Sequence, residues 1–287
     1  MKNMTANDNK IDFTGERFTP ECEREIWYEH YHRYAFAKRL VANKRVLDVA
    51  SGEGYGSHIL AQYAQSVIGV DIDKTSVEHA NKKYQYNNLQ YIQSSCVNMP
   101  IDDASIDVVV SFETLEHLAE QKEMLAEIDR VLKPDGLLVI STPDKKHYSD
   151  ATGFSNEYHV KELYQHEFKA LLDCHWSQQA WYAQSLSFHS TMQRLNPDKN
   201  TYSTDIMHDN KFIQDDAIVK PMYYIVIATK QENKSLDLPD LHLFADFEQS
   251  IYGHYNAVIR EHIKYKNKFE KCLKIPIIGR IVKYLIK

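Results

Sequence analysis

A cluster of glycines is the feature of this sequence that most clearly predicts chemistry. Only nine glycines occur among 287 residues, and three of them fall within the five residues Gly52-Glu-Gly-Tyr-Gly56. Glycine tolerates backbone conformations closed to other residues, so such a loop lets the main chain approach a ligand and present N–H groups to it. Asp71 follows about 20 residues on, where a carboxylate can accept hydrogen bonds from ribose hydroxyls. Loop and carboxylate together predict a nucleoside-binding site.

The spacing within the loop narrows the choice of nucleoside. The dinucleotide fingerprint is G-x-G-x-x-G, whereas this loop is G-x-G-x-G, with Ser57 at the sixth position. Asp48 stands inside the preceding predicted strand, where a dinucleotide fold would have an apolar residue. A buried carboxylate there would orient loop amides or meet an ammonium group. Both departures disfavour a nicotinamide-dependent oxidoreductase, which is the rival enzyme class.

The elements around the loop alternate between strand and helix. Five apolar runs predict strands, and amphipathic runs predict helices before and between them. The strands are predicted at 45–50, 67–71, 89–93, 106–112 and 136–141, and the helices at 21–42, 58–65, 74–84 and 116–132. Because the strands are apolar throughout, they predict a parallel sheet covered on both faces. Ligands of such sheets bind at the carboxyl ends of the strands.

The pattern changes after Thr142. A helix is predicted over about 161–173, and two β-like runs at 179–188 and 222–229 could form an antiparallel hairpin on the sheet edge. A long polar insertion from about 190 to 220 separates these runs, and long loops tend to be functional or mobile. The predicted organisation is an N-terminal helical lid (1–44), a main domain (45–230) and a basic helical tail (231–287).

The segment Val46-Leu-Asp-Val-Ala-Ser-Gly-Glu-Gly-Tyr-Gly56 resembles the first motif of class I S-adenosylmethionine-dependent methyltransferases. Four further segments match that family in order, at 70–72, 93–100, 109–118 and 132–136, so that the resemblance covers roughly 40–145. It implies an α/β fold with a Rossmann-like, mostly parallel seven-stranded sheet and helices on both faces, to which the N-terminal lid and the long helical tail are added. It also implies S-adenosylmethionine as the cofactor and S-adenosylhomocysteine as its product.

The resemblance assigns cofactor contacts to residues of these motifs. Asp71 is the implied ribose ligand. Relatives usually carry an acidic residue at the position of Ser95, against the adenine amino group; serine is a weaker acceptor, so backbone around Cys96 becomes the expected adenine contact. The implied cofactor-binding residues are Asp48, Ser51, Gly52, Gly54, Gly56, Asp71, Ile72, Ser95, Cys96 and Phe112.

Methyl transfer from a sulfonium is an in-line displacement, for which a protein supplies positioning and desolvation. A hydroxyl acceptor also needs a base. Some similar small-molecule methyltransferases use a histidine at the offset of His117, assisted by an N-terminal tyrosine, which is here Tyr28 or Tyr31. The plainer interpretation is that His117 caps or packs a helix. Glu113 is a further acid–base candidate, although carboxylates are also favoured at helix starts.

Two more residues are candidates for substrate binding. Arg17 would clamp an anionic acceptor bidentately, and His159 would form a hydrogen bond with a substrate. Each also has a plainer interpretation, as a solvated charge and as a capping side chain. His30 and His32 are two residues apart, which is the wrong spacing for one helix face. We therefore predict no metal.

Segments outside the shared motifs indicate an acceptor class. Thr14-Gly-Glu-Arg-Phe18, His30-Tyr-His-Arg-Tyr34 and Tyr158-His-Val-Lys-Glu-Leu163 resemble bacterial methyltransferases of surface polysaccharide biosynthesis. This implies O-methylation of a sugar or a glycan-linked phosphate of capsule or O-antigen type. Two alternatives stay open: a small-molecule methyltransferase acting on an amine, phenol or quinone, and a non-catalytic, cofactor-binding scaffold of a glycan assembly complex.

Composition excludes several other classes of protein. The net charge of −6 offers no attraction toward nucleic acid, so we expect a small-molecule or glycan partner instead. The cysteines at 22, 96, 174 and 272 form no C-x-x-C pair, which argues against both a zinc knuckle and a disulfide framework. The sequence shows neither a membrane-length apolar run nor a signal-peptide core. We therefore expect a cytoplasmic protein.

Positive charge is concentrated in the tail. From Arg260 to Lys287 nine basic and two acidic residues give a net charge of +7, which leaves −13 on the rest of the chain. An apolar stripe at three- and four-residue steps runs along a long predicted helix: Phe244, Phe247, Ile251, Tyr255, Val258, His262, Tyr265 and Phe269. The stripe would pack on the parent domain or on a second subunit. Weak attachment to the inner face of an anionic membrane and stabilisation of a homodimer both remain hypotheses for the tail.

Overall fold

The computed structural model of the chain describes residues 18–187, 206–208, 211–213, 220–234, 236 and 238–274. In these ranges the helices are α1 (Glu25–Ala37), α2 (Tyr55–Ala61), α3 (Lys74–Lys83), α4 (Gln121–Val131), α5 (Gln165–Asp173) and α6 (Ser250–Leu273). The strands are β1 (Arg45–Val49), β2 (Ser66–Asp71), β3 (Leu89–Gln93), β4 (Ile106–Ser111), β5 (Leu132–Pro143), β6 (Gln178–Gln184), β7 (Ile206–His208), β8 (Lys211–Ile213) and β9 (Tyr223–Thr229).

Seven of these strands form one sheet, in the order β3-β2-β1-β4-β5-β9-β6. The pairs among β1 to β5 are parallel. Strand β9 lies antiparallel to both β5 and β6. The predicted Rossmann-like, mostly parallel seven-stranded sheet is therefore confirmed, and its edge is the expected antiparallel hairpin. The order reverses between β1 and β4, so the carboxyl ends of these two strands open the crevice where such sheets bind ligands.

Burial of both sheet faces explains why the strands are apolar without alternation. In β4 the side chain of Val109 enters a core shared with α4 and α5, whereas those of Val108 and Val110 enter a core shared with α1 and α2. All three valines are at most 1% exposed. Because each face is covered by helices, both sets of alternating side chains must be apolar. This packing fixes the strand ends that carry the site.

Several element boundaries differ from the sequence-based prediction. Helix α1 begins at Glu25 rather than at residue 21, because a turn in which the Cys22 N–H bonds to the Thr19 carbonyl precedes it. The helix predicted over 116–132 is two elements, a 3₁₀ turn at Leu115–His117 followed by α4. Strand β5 is longer than predicted, since it starts at Leu132.

The insertion and the tail are described in part. Most of the insertion lies outside the described residues, but β7 and β8 pair there as a short antiparallel ladder. Of the two partners expected for the tail stripe, the parent domain covers little of α6. Within that helix Ile251 is buried, whereas Val258 and Phe269 are exposed. Phe247, just before it, is 97% exposed. Among the described helices none is both long and apolar enough to span a membrane.

Candidate active site

The glycine loop joins β1 to α2 with an unusual backbone. Ala50, Gly52 and Gly54 have φ values of 59°, 55° and 97°, in the left-handed region. At Gly54 a Cβ would lie 2.7 Å from the Ala80 Cβ, so the loop needs glycine there for space as well as for conformation. The turn brings the loop backbone against the end of β2, where Asp71 lies.

Asp71 holds the loop through its carboxylate. One oxygen accepts the Gly52 N–H at 2.8 Å and the other accepts the Asp73 N–H at 2.9 Å. Each oxygen keeps a further lone pair, as two ribose hydroxyls would require. The next side chain, Ile72, is 72% exposed, and an exposed apolar group beside the carboxylate suits the face of an adenine. These residues fit an adenosyl ligand.

Asp48 lies beneath the loop and supports the start of α2. It is 1% exposed and accepts hydrogen bonds from Ser57 Oγ at 2.6 Å and from Tyr34 Oη at 3.2 Å. Burial raises the pKa of this carboxyl to about 7, although both donors act to lower it. The sequence analysis expected contacts with loop amides or an ammonium group; the partners seen are two hydroxyls.

Glu53 is a buried residue of the loop that the sequence analysis did not identify. Its carboxylate, 2% exposed as a residue, accepts hydrogen bonds from Lys83 Nζ at 2.5 Å and Tyr84 Oη at 2.8 Å. His79 Nε2 lies 3.0 Å from the same carboxylate. These partners come from α3 and its C-terminal end, so they fasten the loop to a neighbouring helix. Two sequence features could have identified Glu53: its position between two glycines, and the i, i+4 spacing of the basic residues His79 and Lys83.

The adenine-side motif is placed near the carboxyl end of β3. Ser95 Oγ accepts the Val97 N–H at 3.4 Å, and a backbone bridge joins Ser95 to Asn98. The Cys96 side chain packs against the core, and burial raises the pKa of its thiol to about 11. The side chain of Cys96 is therefore directed inward, which leaves its backbone as the group that a base could contact.

Helix α1 covers the glycine loop with aromatic side chains. Tyr31 stacks on Trp27 with ring centroids 4.4 Å apart, and its ring is 5.3 Å from that of Tyr55, the first residue of α2. Gly56 is in close contact with the same helix, because a Cβ there would lie 1.9 Å from Tyr34 Cζ. Of the two candidate tyrosines, Tyr31 thus lies against the loop.

The remaining sequence-based candidates make other contacts. Tyr28 Oη donates to Asp246 Oδ2 at 3.2 Å, in the segment before α6. Phe112 is 8% exposed and packs edge-on against the Tyr34 ring, with centroids 5.1 Å apart. Arg17 lies outside the described residues.

Glu113 follows β4 and faces α1. Its backbone has φ 51°, a strained value for a non-glycine residue. Ser141 Oγ donates to its carboxylate at 2.6 Å, and Arg33 Nη2 lies 3.5 Å from the other carboxylate oxygen. Arg33 is 2% exposed, its Nε donates to Gln184 at 2.9 Å, and its guanidinium lies 4.3 Å from the Tyr223 ring centroid. Arg33 could not be identified from the sequence, because only the packing of α1 on the sheet brings it to Glu113.

His117 lies in the 3₁₀ turn just beyond β4. Its Nδ1 is 3.0 Å from the Tyr158 carbonyl oxygen, so Nδ1–H donates and Nε2 is the unprotonated nitrogen of the neutral ring. The ring of His159 meets that of His117 edge-on, with centroids 4.9 Å apart. The structure therefore brings together two histidines that the sequence analysis treated separately.

Glu116 completes this group from the protein interior. It is 1% exposed; one carboxylate oxygen accepts from Thr142 Oγ1 at 3.1 Å, and the other lies 3.9 Å from His117 Nε2. Burial raises the pKa of this carboxyl well above its usual range, and the charge of Glu113 raises it further. The Glu116 carboxyl, the His117 imidazole and the strained backbone of Glu113 therefore lie close together just beyond β4.

Parts of the chain match known proteins in sequence. Residues 47–140 match the family model described as "Methyltransferase domain". A Mycobacterium tuberculosis protein described as a probable S-adenosylmethionine-dependent methyltransferase is 36% identical over 172 residues, 58% of this chain and 62% of the relative. A phthiotriol/phenolphthiotriol dimycocerosates methyltransferase of Mycobacterium leprae is 31% identical over 144 residues, 49% of this chain and 53% of the relative. The chain thus spans less than two thirds of either relative.

The fold also matches a solved structure. A SAM-dependent methyltransferase from Thermotoga maritima superposes with a TM-score of 0.51 at 15% identity, covering 71% of this chain and 90% of that one. At this identity the likeness concerns the fold. The sheet order and these likenesses show that the chain has a Rossmann-like fold similar to that of S-adenosylmethionine-dependent methyltransferases.

Proposed function

We propose that the protein transfers the methyl group of S-adenosylmethionine to a hydroxyl oxygen of a sugar or glycan-linked group. The observation that carries the proposal is the Asp71 carboxylate bound to the glycine-loop backbone at Gly52, in the crevice onto which β4 and His117 also open. The bound cofactor would supply an electrophilic methyl group on a positively charged sulfur. The chain must hold it, exclude water and activate the acceptor oxygen.

His117 is the residue proposed to activate that oxygen. The Tyr158 carbonyl accepts the Nδ1–H of the ring, which makes Nε2 the basic nitrogen of the neutral imidazole. Glu113 is held by Ser141 and Arg33, which suits positioning better than proton transfer. Tyr31 assists by closing the aromatic layer over the loop at Tyr55.

An open cleft beside His159 supports a polar acceptor. It has a volume of about 510 Å³, and its lining combines Lys145, Asp150, Asn156 and Lys161 with one large aromatic residue, Phe154. Charged and amide groups with an aromatic face suit a saccharide, whose hydroxyls need partners and whose ring packs on an aromatic surface. A glycan-linked phosphate would pair with the two lysines.

A lipid-borne alcohol is the second candidate acceptor. The Mycobacterium leprae relative has a triol in its name, which favours a hydroxyl acceptor carried on an apolar molecule. Phe154 and Val160, which line the cleft, are 55% and 61% exposed and offer apolar contact at its rim.

Calorimetry and a labelled-methyl assay test the proposal in two steps. S-adenosylmethionine and S-adenosylhomocysteine should each bind with measurable heat, whereas NAD should not. Labelled donor should then transfer its methyl group to a member of an acceptor panel of sugar nucleotides, glycan phosphates and lipid polyols. Binding without conversion of the donor by any acceptor would favour the non-catalytic scaffold, and binding of NAD alone would overturn the assignment.

His117→Ala tests the proposed activating residue. Turnover should fall by about 10²- to 10⁴-fold, the range that general acid–base groups contribute. Affinity for S-adenosylmethionine should stay within twofold, because His117 is not among the loop contacts. His175→Asn is the matched control, since that histidine pairs with Asp129 of α4 instead. Full activity of His117→Ala would refute the role.

The tail is proposed to contact a membrane or a second subunit. Its helix α6 leaves Val258, Ile263 and Phe269 exposed, among lysines. Co-sedimentation of the full chain with anionic liposomes should exceed that of a chain ending near Arg260 if the membrane hypothesis holds. Equal sedimentation with a concentration-dependent mass in solution would favour the dimer.

A further inference from the structure

Three side chains at the end of β4 converge as metal ligands do. One carboxylate oxygen of Glu116 and one ring nitrogen of each of His117 and His159 all lie within 4.8 Å of one another. Donor atoms around a small divalent cation stand about 2.0–2.2 Å from it, so a shift of roughly half an ångström or more by each side chain would bring this group to binding distance. Glu116 and His117 are adjacent in sequence, and the loop after β5 supplies His159.

Both imidazoles are oriented by hydrogen bonds on the nitrogen that a cation would not use. His117 Nδ1–H points to the Tyr158 carbonyl at 3.0 Å, and His159 Nδ1 lies 2.6 Å from Glu162 Oε1. Each ring therefore keeps its Nε2 lone pair. A carbonyl or carboxylate on the second ring nitrogen is the usual support of a metal-binding histidine. His159 Nε2 now lies 3.0 Å from Asn156 Nδ2, a contact that a cation would displace.

A buried carboxylate oxygen of Glu116 gives a second reason, separate from the convergence of the three side chains, to expect a cation here. Its Oε1 is buried, and among the described residues nothing donates a hydrogen bond to it. His117 Nε2 lies 3.9 Å from this oxygen, beyond hydrogen-bonding distance. A buried carboxylate oxygen without a donor is costly, whereas a cation between Glu116 and the two imidazoles would satisfy it.

We propose that Glu116, His117 and His159 bind one first-row divalent transition-metal cation. Two imidazole nitrogens and one carboxylate suit Zn²⁺, Co²⁺, Mn²⁺ or Fe²⁺ better than Mg²⁺ or Ca²⁺, which prefer oxygen ligands throughout. The proposal departs from the sequence-based expectation of a metal-free protein. That expectation considered His30 and His32, which contact Tyr55 and His242 instead.

The inference deepens the proposed methyl transfer and rests on it for its chemical role. With the cation bound, His117 Nε2 is a metal ligand rather than the base, and the cation takes its place in activating the acceptor hydroxyl. The acceptor hydroxyl binds the cation, which lowers its pKa, and the hydroxyl proton leaves to water. The resulting oxygen anion attacks the methyl carbon, an O–C bond forms, and the C–S bond breaks with its electron pair on sulfur. S-adenosylhomocysteine leaves uncharged, so atoms and charge balance.

The test is cation binding to the full chain after chelator treatment. Co²⁺ is the probe, because calorimetry gives its stoichiometry and visible absorption reports its ligands. We expect one Co²⁺ per chain for the wild type, and at least tenfold weaker binding with loss of the absorption bands for His159→Ala. Glu116→Gln should behave likewise if circular dichroism shows that it folds. His175→Asn should bind as the wild type does. A wild type that takes up no Co²⁺, or His159→Ala with unchanged affinity, would overturn the proposal.

Parallel measurements separate this inference from the proposed function. Binding of S-adenosylmethionine should stay within twofold in chelated wild type and in His159→Ala, because neither change touches the glycine loop. Methyl transfer should fall at least tenfold on chelation and return with added Co²⁺ or Mn²⁺. Transfer that a chelator leaves unchanged would refute the metal while keeping the methyltransferase; Co²⁺ binding without S-adenosylmethionine binding would refute the methyltransferase alone.

Discussion

Asp71→Asn is the substitution that tests the cofactor site most directly. The two carboxylate oxygens already accept the Gly52 and Asp73 N–H groups at 2.8 and 2.9 Å. The remaining lone pairs are those offered to the ribose hydroxyls. Asparagine keeps the shape of the side chain, but it removes the charge and turns one acceptor oxygen into an NH₂ donor. Both the ribose bonds and one loop bond must weaken.

The expected loss follows from the strengths of these bonds. A hydrogen bond to a charged group contributes about 1.5–3 kcal/mol and a neutral one about 0.5–1.5 kcal/mol, so each ribose bond loses roughly 1 kcal/mol. Two such bonds lose about 2 kcal/mol, which weakens binding about 30-fold. Calorimetry with S-adenosylmethionine and S-adenosylhomocysteine, at fixed pH and salt, should show this factor for both ligands.

A matched control lies two residues away. Asp73 caps the N-terminus of α3 by accepting from the amides of Thr75 and Ser76, and asparagine is an equally good N-cap. Asp73→Asn should therefore keep both the melting temperature and the affinity for S-adenosylmethionine. If Asp71→Asn binds S-adenosylmethionine within twofold of the wild type, Asp71 does not hold the nucleoside and the assignment of the site is refuted.

Three other substitutions test the supports of the loop. Burial raises the pKa of Asp48 to about 7, so the folded protein loses stability as the pH rises toward and through that value. In urea unfolding, the free energy of unfolding of Asp48→Asn should rise by about 3 kcal/mol relative to that of the wild type between pH 5 and pH 8. A difference that does not depend on pH would contradict this. Glu53→Gln leaves Lys83 without its buried partner and should lower the free energy of unfolding by about 2–3 kcal/mol, whereas exposed Glu78→Gln should change it little. Gly56→Ala puts a Cβ 1.9 Å from Tyr34 Cζ and should lower both the melting temperature and cofactor affinity, whereas Gly253→Ala, with open space, should not.

Much of the sheet could be predicted because its signals are local. A run such as the valines at 108–110 is apolar on both faces, and that pattern identifies a strand covered by helices on both sides. The edge hairpin was likewise predictable from its two apolar runs, which pair as β6 and β9. Element ends were less predictable: α1 starts after a turn at Thr19 whose hydrogen bond leaves no periodic trace.

The candidate site likewise has contacts that the sequence could predict and contacts that it could not. The contact between the loop and Asp71 follows from two adjacent parallel strands, β1 and β2, so a motif and a spacing were enough to predict it. Arg33 and Tyr34 could not be predicted to reach Glu113 and Asp48, because those contacts depend on how α1 crosses the sheet. Sequence periodicity describes one element at a time, whereas these pairs join elements far apart along the chain.

The break before α4 shows why the acceptor side was the hardest part to predict. Apolar spacing alone favoured a continuous helix from residue 116, yet the Glu116 carbonyl accepts the N–H groups of Val160 and Lys161, each at 2.9 Å. The Gln121 side chain donates to the carbonyls of Leu115 and Lys161. These bonds join the turn to the loop after β5. A helix starting at Glu116 would use that carbonyl for its own fifth residue and would release the loop that carries His159. The convergence of Glu116, His117 and His159 therefore depends on backbone bonds between distant segments, and no periodic pattern records them.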